Sequence, residues 1–149
     1  MMEHADEILV GVKLVLMAVS APVAYIGIER NKPAAIRLFQ EKTIGERSIK
    51  VVPLEQKYPQ GGEKQLIDAV TRRQVPDPPA IPANVGTVVV NVGTAFAVYQ
   101  AVMKNKPLFE RYTSVSGKHI SQPKNFLVRM GTPIHGCRMS ENTCSKLQY

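Results

Sequence analysis

A glycine-rich corner, residues 57–62, followed by the start of a helix is the part of this sequence best suited to bind a ligand. Pro59 restrains one backbone angle, while Gly61 and Gly62 tolerate positive φ and allow a ligand to approach the main chain. Residues 66–70 then place apolar side chains at helical spacing. The free amides of a helix start carry about half a unit of positive charge, so we expect a phosphate or carboxylate there. The alternative is an ordinary loop with a helix cap.

Alternating helices and strands must position this glycine corner. Start, stop and periodicity signals predict helices over residues 6–19, 33–42, 63–73 and 93–103, and strands over residues 23–28, 49–53 and 87–90. Asn31 is the expected cap of the second helix. Residues 74–84 contain four prolines and are predicted as a loop, whereas the β-branched run that follows is typical of a strand buried on both faces. This order predicts an α/β fold, a three-layer Rossmann-like parallel sheet flanked by helices.

The carboxyl ends of the three predicted strands would meet at one edge of that sheet. The segments that leave them are residues 29–32, 54–62 and 91–94. Ligands of open α/β sheets bind at such an edge, so these segments would converge if the strands are neighbours. The candidate binding residues are therefore Tyr58, Gly61, Gly62, Glu63, Lys64, Asn91 and Thr94.

From residue 108 the pattern changes to strands. Residues 109–116 and 126–130 alternate in polarity around a turn at Gly117 and predict a β-hairpin. Residues 136–149 have no usable periodicity, so we expect a frayed, disordered tail. The predicted domains are a Rossmann-like core at 1–107 and a hairpin with its tail at 108–149.

Charge and hydropathy argue against a nucleic-acid partner and against a membrane span. The 149 residues include 19 basic and 12 acidic side chains, for a net charge of +7, but no recognisable nucleic-acid module or dense basic run. We predict no nucleic-acid partner and interpret the excess as a solvated face, with an acidic partner or an anionic membrane surface as alternatives. Residues 8–28 are long enough to span a membrane, but Pro22 interrupts them and the acids Glu3 and Asp6 precede them. We therefore predict no membrane span.

The cysteines and histidines do not form a recognisable catalytic or metal site. Cys137 and Cys144 are separated by six residues, which exceeds the spacing of a metal knuckle, and the histidines are His4, His119 and His135. We predict reduced surface thiols, no metal ion and no iron–sulfur cluster in this chain. The sequence also offers no Ser/His/Asp or Cys/His arrangement, so no catalytic residue is assigned.

The glycine corner also carries a family resemblance. Residues 58–66 read Tyr-Pro-Gln-Gly-Gly-Glu-Lys-Gln-Leu, followed by Gln-Val-Pro at 74–76 and Asn-Val-Gly-Thr-Ala at 91–95. These motifs strongly resemble the RnfC family of electron transport complex proteins, and over residues 3–134 nearly the whole chain is similar. The spacing is more distantly similar to the flavin- and NADH-binding subunit of respiratory complex I.

The resemblance implies a function in electron transport. Members of this family oxidise NADH through bound FMN and pass electrons to iron–sulfur centres. Their partners are the other subunits of a membrane complex, and they lie in the cytoplasm, peripheral to the inner face of the bacterial membrane. FMN and NADH are thus the implied cofactors, and the hairpin would begin a β-grasp module.

The resemblance also implies roles for individual residues. Tyr58, Gly61 and Glu63 match the Tyr-x-x-Gly-x-Glu core of the flavin and nicotinamide site of the complex I relative, and Asn91 and Thr94 match its Asn-Val-x-Thr segment. Tyr58 would pack on an aromatic ring, Glu63 would accept from ribose hydroxyls and Asn91 would donate to a flavin oxygen. The structural alternatives are a loop anchor for Tyr58, a turn for Asn91 and a helix cap for Thr94.

Several positions depart from the family pattern. Gly62 and Gly93 stand where the complex I subunits carry acids, and Val90 stands where a second polar residue is usual. Lys64 would pair with a phosphate or remain solvated.

The resemblance finally implies a chain truncated at both ends, without the upstream glycine-rich segment or the downstream cysteine clusters. We therefore expect weak flavin binding, little activity alone and self-association through exposed apolar surface. Two alternatives are a non-catalytic α/β module that docks a partner and a module that binds a small phosphorylated ligand.

Overall fold

The computed structural model describes residues 1–118 and 123–133. The chain divides into two compact units, Met1–Asn105 and Lys106–Tyr149. The described elements of the first unit are, in chain order, α1 (Ala5–Ala18), β1 (Ala24–Glu29), α2 (Pro33–Lys42), β2 (Ile49–Leu54), α3 (Glu63–Thr71), a 3₁₀ turn (Pro82–Val85) and α4 (Val92–Lys104).

The strands β1 and β2 lie side by side and run parallel. Ala24 is opposite Ile49 and Glu29 is opposite Leu54, so both strands end at the same edge. The helix α2 connects them, as a parallel pair requires a crossover connection. The predicted α/β class is confirmed.

Helices cover both faces of this sheet. On one face, Ile28 of β1 is buried together with Ile8 of α1 and Phe39 of α2, whose side chain has no exposed surface. On the other face, a Cβ added to Gly27 would lie 3.3 Å from Leu66 of α3. The predicted three-layer, Rossmann-like arrangement is therefore confirmed.

The prediction of a third strand at residues 87–90 is wrong. In the described part of the chain the parallel sheet consists of β1 and β2. Val88 is 60% exposed and Val90 is 38% exposed, so the run is not buried on both faces. Thr87 is instead hydrogen-bonded to the 3₁₀ turn. The Thr87 N–H and hydroxyl both donate to the Pro82 carbonyl, at 3.2 and 3.0 Å. Because β-branched side chains fit any pleated, half-buried surface, the run indicated extended backbone without specifying a partner strand.

Two helix boundaries also differ from the predictions. The N-cap of α2 is Lys32 rather than Asn31, and its side chain makes no capping hydrogen bond, whereas Pro33 lies in the first turn as expected. The helix α3 ends at Thr71 because Arg72 adopts a left-handed conformation with φ of 59°. A left-handed residue ends the helical hydrogen-bond pattern, so the following loop begins before residue 73.

The stretch considered as a membrane segment divides into α1 and β1. The helix α1 has 14 residues, and β1 follows it after a short turn. Among the helices of the described ranges, none is both long and apolar enough to cross a bilayer.

The helices α1 and α4 cross closely at Gly11. A Cβ added to Gly11 would overlap the carbonyl group of Ala95 in α4, and both residues are buried. Beside this crossing, His4 stacks on Phe96 with ring centroids 4.7 Å apart. The start of α4 is therefore held by another helix.

The second unit contains an antiparallel hairpin of β3 (Glu110–Val115) and β4 (Lys124–Arg129). The hairpin predicted over 109–116 and 126–130 is confirmed, while its assignment to a β-grasp module stays a prediction. The tail predicted to be disordered, residues 136–149, lies outside the described residues.

A charged cluster joins the ends of this hairpin. The Glu110 carboxylate accepts from the Lys106 ammonium at 3.1 Å and lies 3.6 Å from the Arg129 guanidinium. Both cations also lie within about 6 Å of the Phe109 ring centroid, at 5.5 and 5.8 Å. Cations at that distance from an aromatic face are attracted to it.

Replacing Gly11 by Ala should destabilise the first unit, because the added methyl group meets backbone that cannot move aside. We expect urea unfolding followed by circular dichroism to show a loss of about 1–3 kcal/mol. Gly61→Ala is the control, since nothing lies within 4 Å of its added Cβ, and it should not lose stability. Wild-type stability of Gly11→Ala would contradict the close crossing.

The ion pair between Lys13 of α1 and Glu46, just before β2, makes stability depend on pH. The hydrogen bond from Lys13, followed by that from the Ser48 hydroxyl at 2.8 Å, lowers the pKa of the Glu46 carboxyl below its ordinary value. A lowered folded-state pKa stabilises the fold above the unfolded-state pKa of about 4.3, and this contribution is lost as pH falls through the folded-state pKa.

Glu46→Gln should therefore lower the Tm slightly at neutral pH, with the difference from wild type disappearing in acid. Differential scanning calorimetry from about pH 7 to about pH 3 would measure it. Glu41→Gln is the control, because Glu41 makes no ion pair within the described ranges. A difference that is constant across this pH range would refute the assignment.

Candidate functional site

An open groove lies at the carboxyl ends of β1 and β2. Its volume is about 590 Å³, and its lining residues are Glu29, Gln56, Lys57, Tyr58, Pro59, Gln60, Gly61 and Gly62. The two strand exits are joined there, since the Arg30 N–H donates to the Leu54 carbonyl at 2.9 Å and the Arg30 guanidinium lies 3.1 Å from Glu55. The segments predicted to leave these two strands at one edge do so.

Two overlapping turns shape the glycine corner. The Gln60 N–H donates to the Lys57 carbonyl at 2.8 Å, and the Gly62 N–H donates to the Pro59 carbonyl at 2.7 Å. Gln60 is buried at 9% exposure, while Tyr58 is 98% exposed. The corner is therefore anchored through Gln60 and presents the Tyr58 ring to solvent.

The two glycines serve the corner through their missing side chains, not through positive φ. Neither glycine adopts the positive φ that it tolerates, because the glycines with positive φ in the described residues lie elsewhere and Gly62 has a φ of −66°. A Cβ on Gly62 would overlap the Gln65 side chain and lie 3.1 Å from the Pro59 carbonyl. Gly61 faces open space, so its main chain is accessible to a ligand.

The helix α3 begins directly beside the groove. Glu63 is its first residue, and the first intrahelical bond runs from the Leu66 N–H to the Gly62 carbonyl at 2.9 Å. The amides of residues 63–65 precede that bond, so they have no helical acceptor. These amides form the positive end of the helix dipole, which favours an anion. The Glu63 carboxylate in the same turn partly offsets this attraction.

The Lys64 side chain makes a hydrogen bond outside the groove. Its ammonium donates to the Pro76 carbonyl at 2.9 Å, and the side chain does not line the groove. A role in binding a phosphate therefore has no support from its position.

Asn91 and Thr94 lie at the start of α4. The Asn91 side-chain oxygen accepts from the Gly93 N–H at 2.8 Å, and the Thr94 N–H donates to the Asn91 carbonyl at 2.9 Å. Asn91 is thus the N-cap of α4, which leaves its exposed side-chain NH₂ group as a donor. Neither residue lines the groove, so their convergence with the glycine corner stays a prediction.

Four polar residues of the groove were absent from the candidate list: Glu29, Gln56, Lys57 and Gln60. Glu29 is the last residue of β1 and the other three follow β2, so all four lie in the predicted strand-exit segments 29–32 and 54–62. Their position at the strand ends was the available signal. Of the candidate residues, Tyr58, Gly61 and Gly62 line the groove.

No metal site accompanies the groove: among residues 1–118 and 123–133, no three His, Cys, Asp or Glu side chains are placed to hold an ion. Cys137, Cys144, His119 and His135 lie outside those ranges.

The residues that form the groove and its parallel strands lie within a stretch that matches a known flavin-binding domain. The sequence profile described as the Nuo51 FMN-binding domain matches residues 1–100, which include every element of the candidate site. The chain belongs to the Nuo51 FMN-binding domain family.

Curated relatives of this Nuo51-family chain are C subunits of ion-translocating complexes. It is 45% identical to the C subunit of the proton-translocating ferredoxin:NAD(+) oxidoreductase complex of Clostridium ljungdahlii, over 89% of this chain and 28% of the relative. It is 38% identical to the C subunit of the Na(+)-translocating complex of Acetobacterium woodii, over 90% and 30%. It is also 38% identical to the C subunit of the ion-translocating oxidoreductase complex of Pseudomonas aeruginosa, over 91% and 17%.

These similarities confirm the predicted resemblance to the RnfC family. The chain spans less than a third of the length of these relatives.

Removing the Asn91 side chain should weaken the start of α4 in this Nuo51-family chain. Asn91→Ala loses the cap to Gly93, and we expect urea unfolding to show a loss of about 1 kcal/mol. Asn91→Asp and Asn91→Ser keep an oxygen that can accept from the same amide and should retain most of the stability. Equal stability of the Ala and Ser variants would show that the cap contributes nothing.

Proposed function

We propose that the groove binds FMN and that the chain is the flavin-carrying part of a longer electron-transfer subunit. The observation that carries this proposal is the groove itself, which opens at the carboxyl ends of two parallel strands and beside the start of α3. Open α/β sheets bind nucleotides at that edge, and helix starts bind phosphates. Membership of the Nuo51 FMN-binding domain family supports FMN among such ligands.

The groove has dimensions and donors that fit parts of FMN. Its volume of about 590 Å³ falls in the usual range for small-molecule sites, about 300–1,000 Å³. The free amides at residues 63–65 and the exposed main chain at Gly61 suit a phosphate or a flat ring edge. The exposed Tyr58 ring suits stacking on an aromatic surface.

Several residues of the groove and of the adjacent start of α3 would then have distinct tasks. The α3 amides would bind the phosphate, and Gly61 would allow the ring to approach the backbone. Tyr58 would orient the ring by stacking. Glu29 and Glu63 would accept hydrogen bonds from ribose hydroxyls of a nicotinamide nucleotide. FMN, when bound, supplies hydride acceptance and single-electron donation, so the protein needs no acid or base of its own.

The openness of the groove sets the expected affinity. Tyr58 has almost no protein contacts, because 98% of its surface is exposed. A ligand held on one side only loses less water and makes fewer contacts than one in an enclosed site. We therefore propose weak FMN binding by this chain alone.

The relatives suggest the setting in which the chain works. Their names describe complexes that couple ferredoxin and NAD(+) to ion translocation. We propose that this chain exchanges electrons between a nicotinamide nucleotide and FMN within such a complex, attached peripherally to a membrane through other subunits. Iron–sulfur centres would then accept the electrons elsewhere in the assembly.

FMN binding can be tested by titrating the protein into FMN and following the quenching of flavin fluorescence. Tyr58→Ala should weaken binding about tenfold because it removes ring stacking. Tyr112→Ala is the matched control, since Tyr112 is 61% exposed but lies in the hairpin of the other unit. Saturable quenching that is lost in the Tyr58 variant alone supports the proposal.

The same titration can refute the proposal in two ways. Absence of quenching at millimolar protein would show that the groove does not hold FMN. Full displacement of FMN by inorganic phosphate, with no effect of riboflavin, would favour a general site for phosphorylated ligands.

A further inference from the structure

We propose that Lys64 and Arg73 are positioning residues, which fasten the proline-rich segment (residues 74–90) to α3 and to the turn that follows α3, and so hold the start of α4. The inference rests on the proposed function where it concerns flavin binding. The fastening itself is supported by two hydrogen bonds, independently of any ligand.

Both cations reach across the same distance in sequence to a backbone carbonyl. The Lys64 ammonium donates to the Pro76 carbonyl at 2.9 Å, and the Arg73 guanidinium donates to the Val85 carbonyl at 2.8 Å. Arg73 also lies over Gly86, where an added Cβ would be 3.4 Å from its guanidinium nitrogen. The two contacts hold the segment near its beginning and near its end.

The segment needs such contacts because its other backbone hydrogen bonds join residues of the segment to each other and do not attach it to a helix or strand. Within the described ranges, its backbone bonds are Ala80 to Asp77, Asn84 to Ile81, Gly86 to Ala83 and Thr87 to Pro82, each within the segment. Its four prolines have no N–H to donate. A charged donor forms a stronger hydrogen bond to a carbonyl than a neutral one, so each cation is an effective fastening.

These contacts connect α3 and its end to the segment that leads into α4. Lys64 lies in the first turn of α3, next to the glycine corner, whereas Val85 precedes the Asn91 cap by six residues. The far side of α4 is held by α1 at the Gly11 crossing. The segment between α3 and α4 therefore has fixed ends, although it forms no strand.

A phosphate-binding role is the competing explanation for Lys64. If Lys64 binds phosphate directly, its loss should weaken FMN and leave riboflavin, which has no phosphate, unaffected. If Lys64 acts by positioning, its loss should weaken both flavins by a similar factor. Arg73, which lies two residues after the last residue of α3, should then behave like Lys64.

Limited proteolysis with thermolysin tests the fastening without any flavin. Thermolysin cuts on the amino side of apolar residues, methionine included, so Lys64→Met and Arg73→Met remove no cleavage site, and a cut before an introduced Met is not counted. We expect cleavage within residues 74–90 to be about tenfold faster in either variant, because cleavage follows the population of the opened segment. Arg72→Met is the control, since the structure gives its exposed side chain no hydrogen bond or ion pair within the described ranges. Cleavage rates equal to those of the control would overturn the proposal.

Flavin titration then tests the consequence for the site. We expect Lys64→Met and Arg73→Met to raise the Kd of FMN and of riboflavin by a similar factor, about threefold to tenfold. Lys64→Arg should restore much of the affinity, as it keeps a charged donor. Loss of FMN binding alone would assign Lys64 to the phosphate and overturn its positioning role. If the wild-type chain binds neither flavin, the proposed function fails, and the thermolysin rates still decide whether the segment is fastened.

Discussion

The close crossing of α1 and α4 at Gly11 is the contact on which the placement of α4 depends most. A helix that follows a buried strand is normally positioned by that strand, but α4 follows an irregular segment. The missing side chain of Gly11 lets α1 approach the Ala95 carbonyl, and α1 is itself buried against Ile28 and Phe39. The position of the Asn91 cap is thus set by the packing of α4 on α1 and of α1 on the sheet.

The groove depends on the sheet directly. The parallel register of β1 and β2 brings Glu29 and Leu54 to one edge, and the chain then turns twice before α3 begins. The turns bury Gln60 and expose Tyr58, so the corner is packed at its base and open at its surface. This combination suits a ligand that is recognised by its anionic end and by a flat ring.

The electrostatics of the groove are balanced rather than strongly positive. The start of α3 and the groove-lining Lys57 favour an anion, whereas Glu29 and Glu63 oppose one and Lys64 is engaged with Pro76. Recognition of a phosphate would therefore depend on Lys57 and on backbone amides, whose direction is set by the helix. The +7 charge of the chain does not by itself create the site.

Much of the fold could be predicted because it follows from local signals. Helical periodicity, the proline at the start of α2 and the apolar runs of β1 and β2 identified these elements within a few residues of their ends. The corner at Gly61 was also evident, since the residue types that permit a tight turn are few. The identity of the third strand could not be predicted, because a β-branched run indicates extended backbone whether or not a neighbour pairs with it.

The amino-acid sequence by itself determined the helices, the two paired strands, the glycine corner and membership of an FMN-binding family, since these depend on residue type and spacing. Only the tertiary structure decided the tasks of the side chains. It engaged Lys64 with Pro76, made Asn91 a helix cap and added Glu29 to the groove. The physical reason is that a polar side chain bonds to whichever partner the folded backbone brings within about 3 Å, and distant segments supply those partners.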